Sequence, residues 1–342
     1  MLESGPMAGF WRVPTDNDEG GGKQSFAAQW RKANLDSLKL TGTDLRVEKL
    51  NPHVFKVTLK KSLRSRSGAM IVSSVYTIYA SGDIHVQNTF APTGEWPPLA
   101  KVGMQLQMPA SYSQVEWYGN GPFETYADRK SSGQIGLYTG SVAEQHFPYI
   151  SPQENGNKTD VRWARITNED GLGLIAISDS VFNFNVHDYT DKALLAAKER
   201  GSVLASGSST TVNIDFAQMG LGGDDSWSPR VHEQYRLPAK PYSYSFRLKG
   251  IDNASNLDQI IHSTLPSIAP KTVEPVAAED EDQTQEGDAE AGEEEEVVKP
   301  TVRKYSSKYS KIKKKKPTRK KKSVSRKKSK KKTASRKKKR RR

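Results

Sequence analysis

The stretch "MGLGGDDSWSP", residues 219–229, sets two adjacent carboxylates, Asp224 and Asp225, beside Trp227 in a glycine-rich loop. Acids next to an aromatic ring suit the cleavage of a sugar, where one carboxyl moves a proton and a second acts on carbon. Such a pair must flank one bond, at a separation of about 5–5.5 Å when the second group is a nucleophile. Sequence neighbours tend to point in different directions, which makes Asp224 and Asp225 poor partners for that work. They are expected instead to bond backbone N–H groups of the turn and fix its shape. Gly222 and Gly223 let that backbone bend, and Pro229 stiffens its exit.

A second acidic cluster, Asp16, Asp18 and Glu19, lies beside Arg12 in "FWRVPTDNDEGGG", residues 10–22. It lacks the spacing and the closing Glu of a calcium loop. Arg12 is expected to pair with these acids, and the chain to turn at residues 20–22. The six histidines, at 53, 85, 146, 187, 232 and 262, show neither HExxH nor HxH spacing, so no metal site is expected. Neither a GxSxG elbow nor a phosphate-cradling loop is present.

The elements that must hold these residues read as strands. Ile84, Val86 and Phe90 alternate with polar residues, as do Val102, Met104, Leu106 and Met108. Phe182, Phe184 and Val186 repeat the pattern, then Val212, Ile214 and Phe216, then Tyr242, Tyr244, Phe246 and Leu248. Each predicts a strand with one buried face. "ASGD" at 80–83 and "YGNGP" at 118–122 carry turn chemistry between strands. Ser25 is placed to cap a short helix with Phe26 and Trp30, and Thr190 to cap "DKALLAAKER", which Gly201 stops. Many strands and few helices predict an all-β antiparallel sandwich or barrel over residues 1–250. "IDNASNLDQIIHSTL" adds a helical turn or two.

The net charge of +14 belongs to the end of the chain. Residues 1–271 balance 27 Lys and Arg against 27 Asp and Glu. Residues 272–298 hold 12 acids and no Lys or Arg, and residues 299–342 hold 26 Lys and Arg and no acid. A linker over 251–298 and a Lys/Arg-rich tail over 299–342 are therefore expected to be disordered when free. The tail reads as a contact for nucleic acid or another polyanion, as an import signal, or as an anchor to an anionic surface. The bland alternative is a solvated extension held by its acidic neighbour. No cysteine is present, so disulfides and thiolate metal sites are excluded. No apolar run suggests a signal peptide or a membrane span, and a cytoplasmic protein is expected.

Four stretches occur in a telling order: "FWRVPTDND" at 10–18, "WYGNGPFETYADR" at 117–129, "PQENG" at 152–156 with "DVRW" at 160–163, and "MGLGGDDSWSP". Together they resemble the C-terminal, small-chain domain of glycoside hydrolase family 2 β-galactosidases, over about residues 5–250. The resemblance implies a large antiparallel supersandwich similar to the galactose mutarotase fold. It implies retaining hydrolysis of terminal non-reducing β-D-galactosides such as lactose, by two glutamates on a separate (β/α)₈ barrel. No alternation of strands and helices marks a barrel here, so no residue of this chain is expected to be catalytic.

By the same resemblance Trp227 is an aromatic platform for the sugar in the leaving-group position, reaching the barrel's mouth. Gly103, in "KVGMQLQM", matches a loop that borders that site. The implied partner is a large chain carrying the barrel, or further copies of the chain itself. Any Mg²⁺ or Na⁺ belongs to that barrel, with no cofactor in this chain. The chain alone is expected to be inactive. The alternative is a non-catalytic carbohydrate-binding or mutarotase-like module, tethered to a polyanion by its basic tail.

Overall fold

The chain opens with β1 (Ser4–Gly9), α1 (Asp16–Glu19) and α2 (Phe26–Ala33). Four long strands follow, β2 (Lys39–Asn51), β3 (Val54–Arg64), β4 (Gly68–Tyr79) and β5 (Asp83–Gly94). Next come β6 (Lys101–Pro109), β7 (Gln114–Gly121), β8 (Gln134–Ser141), β9 (Lys158–Thr167) and β10 (Gly173–His187). The fold closes with α3 (Asp191–Arg200), β11 (Ser209–Gln218), β12 (Tyr242–Ile251) and α4 (Leu257–His262). These elements come from a computed structural model that describes residues 1–202, 204–225 and 231–268. The expected acidic stretch and basic tail lie outside the described residues.

The twelve strands among the described residues join one antiparallel sheet in the order β1-β6-β11-β10-β12-β5-β4-β3-β2, with β9 bridging β10 to β7 and β8 pairing β7. The protein is therefore all-β, as its alternating pattern predicts. The apolar positions of β6, β10, β11, β12 and β5 form one continuous core that includes Leu106, Phe184, Ile214, Phe246 and Phe90. Phe90 meets the edge of Phe10 at 5.5 Å and stacks on Tyr244 at 6.0 Å. Helix α2 closes this core with Trp30, which is fully buried and donates its indole N–H to the Pro98 carbonyl at 2.8 Å. Burying one such side chain stabilises the fold by about 1.5–3 kcal/mol.

The two expected caps are present. Ser25 Oγ accepts from the Ala28 N–H, and Thr190 Oγ1 from the Ala193 N–H. Gly201 ends α3 in the left-handed region at φ 58°. Helix α1 adds a capping box between Thr15 and Asp18, which satisfies two otherwise orphaned helix N–H groups.

The structure departs from the expectation of one buried face per strand. In β11 residues 210–215 are all buried, including Thr211, Asn213 and Asp215 on the polar face. Their neighbours Asn185 and His187 on β10 are buried with them. A layer of loop residues covers this face. Asn155 accepts on its backbone oxygen from Asn185 Nδ2 at 2.8 Å and meets His187 Nε2 at 3.0 Å. Phe216 departs in the other direction and is 36% exposed. It is the extra residue of a bulge, since Asp215 pairs Gly103 and Ala217 pairs the next residue back, Val102; a bulge re-aims its side chain.

Residue 250 is not where the packing ends. Leu257, Ile260 and Ile261 of α4 pack on Trp163, Ile175 and Ile251. Arg247 donates to the backbone oxygens of Ser263, at 3.0 Å, and of Ile260. This corrects the expected start of the linker at 251, because the α4 apolar face needs the sheet to leave water.

Candidate functional site

Arg12 follows β1 and is fully buried. The capping box of α1 sets the carboxylate of Asp18 in front of it. Thr15 N–H donates to Asp18 Oδ2 at 2.9 Å, and Asp18 N–H donates to Thr15 Oγ1 at 3.1 Å. Asp18 then receives Arg12 Nε at 3.1 Å and Nη2 at 2.9 Å, a two-point ion pair with neither side chain exposed. The geometry is bidentate, the arrangement in which Arg–carboxylate pairs are strongest.

The rest of the guanidinium serves a loop two hundred residues away. Arg12 Nη1 donates to the Met219 oxygen at 2.6 Å and Nη2 to the Gly220 oxygen at 3.0 Å. Asn17 Nδ2 donates to the Leu221 oxygen at 3.2 Å. From another direction Asp128 accepts the N–H groups of Leu221 at 3.0 Å and Gly222 at 2.8 Å, one on each carboxylate oxygen. Three consecutive carbonyls and two amides of residues 219–222 are thus gripped by side chains of two distant stretches. A Cβ at Gly220 would stand 2.5 Å from Asp128 Oδ2, so only glycine allows this approach. Gly222 and Gly223 take positive φ, 74° and 129°.

Residues 152–156 close the circle. The Asp16 N–H donates to Gln153 Oε1 at 2.9 Å, Gln153 Nε2 returns to Asp16 Oδ2 at 3.1 Å, and Glu154 N–H reaches the Val13 oxygen at 3.2 Å. The result is a cleft of about 570 Å³ lined by Asp16, Asn17, Asp128, Arg129, Tyr149, Gln153, Glu154 and residues 221–224. Its wall carries both donors and acceptors, the kinds of group that meet a ligand with several hydroxyls.

Of the residues singled out from sequence, Trp227 and Pro229 lie outside the described residues. Among the described residues the acid that holds the N–H groups of Leu221 and Gly222 is Asp128. The Asp224 carboxylate meets His232 Nε2 at 2.7 Å. Asp225 follows at the edge of the described residues. The physical reason is reach: an acid outside a tight turn can face two of its successive amides at once.

Gly103 is not on a loop. It lies within β6, paired with Gly9 on one side and Asp215 on the other.

The chain motifs did not single out Glu154, Lys101 and Asp215, whose roles depend on burial. Glu154 Oε1 accepts from Asn185 Nδ2 at 3.1 Å and Gln218 Nε2 at 3.2 Å. Burial pushes its carboxyl up to about 7, with Lys101 pulling the other way. Asp215, 3.6 Å from the buried Lys101 ammonium, is likewise raised to about 7 by burial.

These shifts give a pH prediction. Between pH 4.5 and about 7 the folded state keeps a proton on Glu154 that the unfolded chain has released. Stability from this group therefore declines as pH rises through that window, and the loss is complete above it. His187 opposes it: burial lowers its pKa from 6.5 to about 3, so it adds stability as pH rises from 3 to 6.5. Glu154→Gln separates the two. It is expected to be more stable than wild type by on the order of 3 kcal/mol at pH 8 and by little at pH 4.5. Urea unfolding at both pH values checks this, and an equal difference at the two would refute it.

Comparison with known proteins places the four stretches together. The family described as beta galactosidase small chain matches residues 1–248. A β-galactosidase of Priestia megaterium is 36% identical over 250 residues, covering 73% of this chain and 24% of that protein. One of Vibrio cholerae is 33% identical over 246 residues, covering 70% of this chain and 23% of its own. The chain spans about a quarter of the length of the curated relatives it matches. Among solved structures, a putative aldose 1-epimerase from Escherichia coli K12 aligns at a TM-score of 0.32 and 12% identity, over 61% of this chain and 69% of that one. A likeness of that size adds nothing to the fold described above.

Proposed function

The chain belongs to the β-galactosidase small-chain family, and from that premise we propose that it is the small chain, or the C-terminal portion, of a β-galactosidase. In this reading it helps to hydrolyse terminal non-reducing β-D-galactosides such as lactose. It completes the sugar site of a partner that carries the barrel and both catalytic glutamates of a retaining mechanism. Alone it is inactive.

The observation that carries this reading is the grip on residues 219–222. Arg12, Asn17 and Asp128 commit their polar atoms to backbone positions of a loop that leads directly to Trp227. Such an investment of buried groups supports a positioning role, because a platform aids a reaction only when it is held in place beforehand. An indole is suited to that role: its flat apolar face stacks on the C–H face of a pyranose.

The test mixes the purified chain with a large chain of the same family and follows hydrolysis of a chromogenic galactoside. No turnover is expected from the small chain alone, and turnover is expected on mixing. In the reconstituted enzyme Trp227→Ala should raise KM for lactose about tenfold, the loss of one stacking contact. Turnover by the small chain alone would overturn the proposal, and an unchanged KM in the variant would remove the platform from it.

A further inference from the structure

A cavity of about 430 Å³ lies beside the clamped loop, with Arg129 and Tyr149 in the walls of both. Its other side is apolar and open: Phe123 is 65% exposed and Phe147 is 54% exposed. Phe147 sits 4.5 Å from Tyr149, ring to ring, with the planes tilted by 49°. A cavity of this size with a few polar groups matches the usual dimensions of a small-molecule site, roughly 300–1,000 Å³.

Its unusual member is Lys158, the first residue of β9, which lines the cavity while only 3% exposed. The ammonium donates to the Gly156 oxygen at 2.8 Å and lies 5.1 Å from the centre of the Trp117 ring. Among the described residues it forms no ion pair. The acids of the cavity have hydrogen-bond partners of their own, although Glu124 is near enough to act on the Lys158 charge. Glu124 accepts from Arg129 and from the Tyr149 hydroxyl, and its second oxygen takes the Gly156 N–H at 2.7 Å. Glu144 Oε2 accepts the Ser141 N–H at 2.7 Å and the Ser141 hydroxyl at 3.0 Å.

A buried charge is normally paired. An ammonium has three N–H groups, and one is used by Gly156. Burial, its largest influence, lowers the Lys158 pKa to about 8 against the opposing pull of Glu124, so a second negative charge arriving opposite it would meet an ion poorly served by solvent.

We propose that this cavity is a binding site for a carboxylate-bearing ring compound of monosaccharide size, a hexuronate being the carbohydrate case. The carboxylate pairs with Lys158, and the apolar face of the ring lies on Phe147. Gln145 and Ser132, also in the lining, are placed to meet ring hydroxyls. The site includes no residue of the clamped loop.

Titration of the full-length chain with sodium galacturonate, and separately with galactose, tests this by two-dimensional NMR. Galacturonate is expected to bind about tenfold more tightly than galactose, the worth of one charge-assisted contact. It should shift resonances of residues 123, 147 and 158. Lys158→Met is expected to lose that preference. Phe147→Ala removes an exposed ring, leaves the fold intact and is expected to weaken galacturonate several-fold. If Lys158→Met does not fold, the wild-type shifts and Phe147→Ala decide the matter. Equal binding of the two sugars, no binding of galacturonate, or shifts confined to residues 221–224 would overturn the proposal. None of these outcomes depends on galactoside turnover, so the two proposals fail separately.

Discussion

Arg12→Ala is expected to destabilise the domain by about 3–5 kcal/mol, the usual cost of removing one partner from a buried ion pair. Its neighbour Asp18 has no exposed side-chain surface, so it would be left charged in a site that cannot solvate it. The carbonyls of Met219 and Gly220 would lose their donors in the same step. Urea unfolding measures the first effect, and reconstitution with a large chain measures the second. A companion variant separates charge from loop support. Arg12→Met with Asp18→Asn removes the stranded charge and should recover part of the stability. It should not recover reconstitution, because no side chain then reaches the two carbonyls. A single variant within 1 kcal/mol of wild type would refute this account of the clamp.

The second large effect is expected at Gly103. A Cβ there would fall 1.9 Å from Asp215 Oδ1 and 2.5 Å from the Asp215 Cα. The first clash could be relieved by turning the carboxylate, but the second involves backbone. Gly103 is the middle of three paired strands, β1, β6 and β11, and cannot retreat without shifting a ladder. Gly103→Ala should therefore cost at least about 1–3 kcal/mol, the range for overpacking a filled interior. Asp215→Ala in the same chain relieves the clash with the carboxylate but not the clash with the backbone, so rescue should be partial. It would also leave the buried Lys101 without its counter-charge. A midpoint of urea unfolding equal to wild type for the single variant would show that the strands can part at no cost.

The sequence made the strands and helix caps legible because each depends on residues a few positions apart. Ser25, Thr190 and Gly201 act within one turn, and alternation in β12 needs only ten residues. The pairing of Arg12 with the acids after it was readable for the same reason. Its other task was not, because Met219 lies 207 positions away. Asp128 stood in plain view within "WYGNGPFETYADR", yet nothing local marks it as the acid that holds the amides of Leu221 and Gly222. That assignment is made by the packing of one loop against another. The polar face of β11 misled for a related reason. Asn213 and Asp215 fall on the face that alternation leaves to solvent, yet both are buried, with the Lys101 ammonium bonded to the first and 3.6 Å from the second. Lys158 reads as an ordinary strand lysine until its burial and the prior engagements of Glu124 are known.

The wide separation of Arg12 from its carbonyl partners also governs when the loop can take shape. Closing a long segment carries an entropic cost that must be met before its contacts give anything back. β1 pairs β6, β6 pairs β11, and residues 219–222, which follow β11, lie beside Arg12. The clamp on residues 219–222 is therefore expected to be among the last parts of the fold to form, since it joins Arg12 near one end of the domain to a loop near the other.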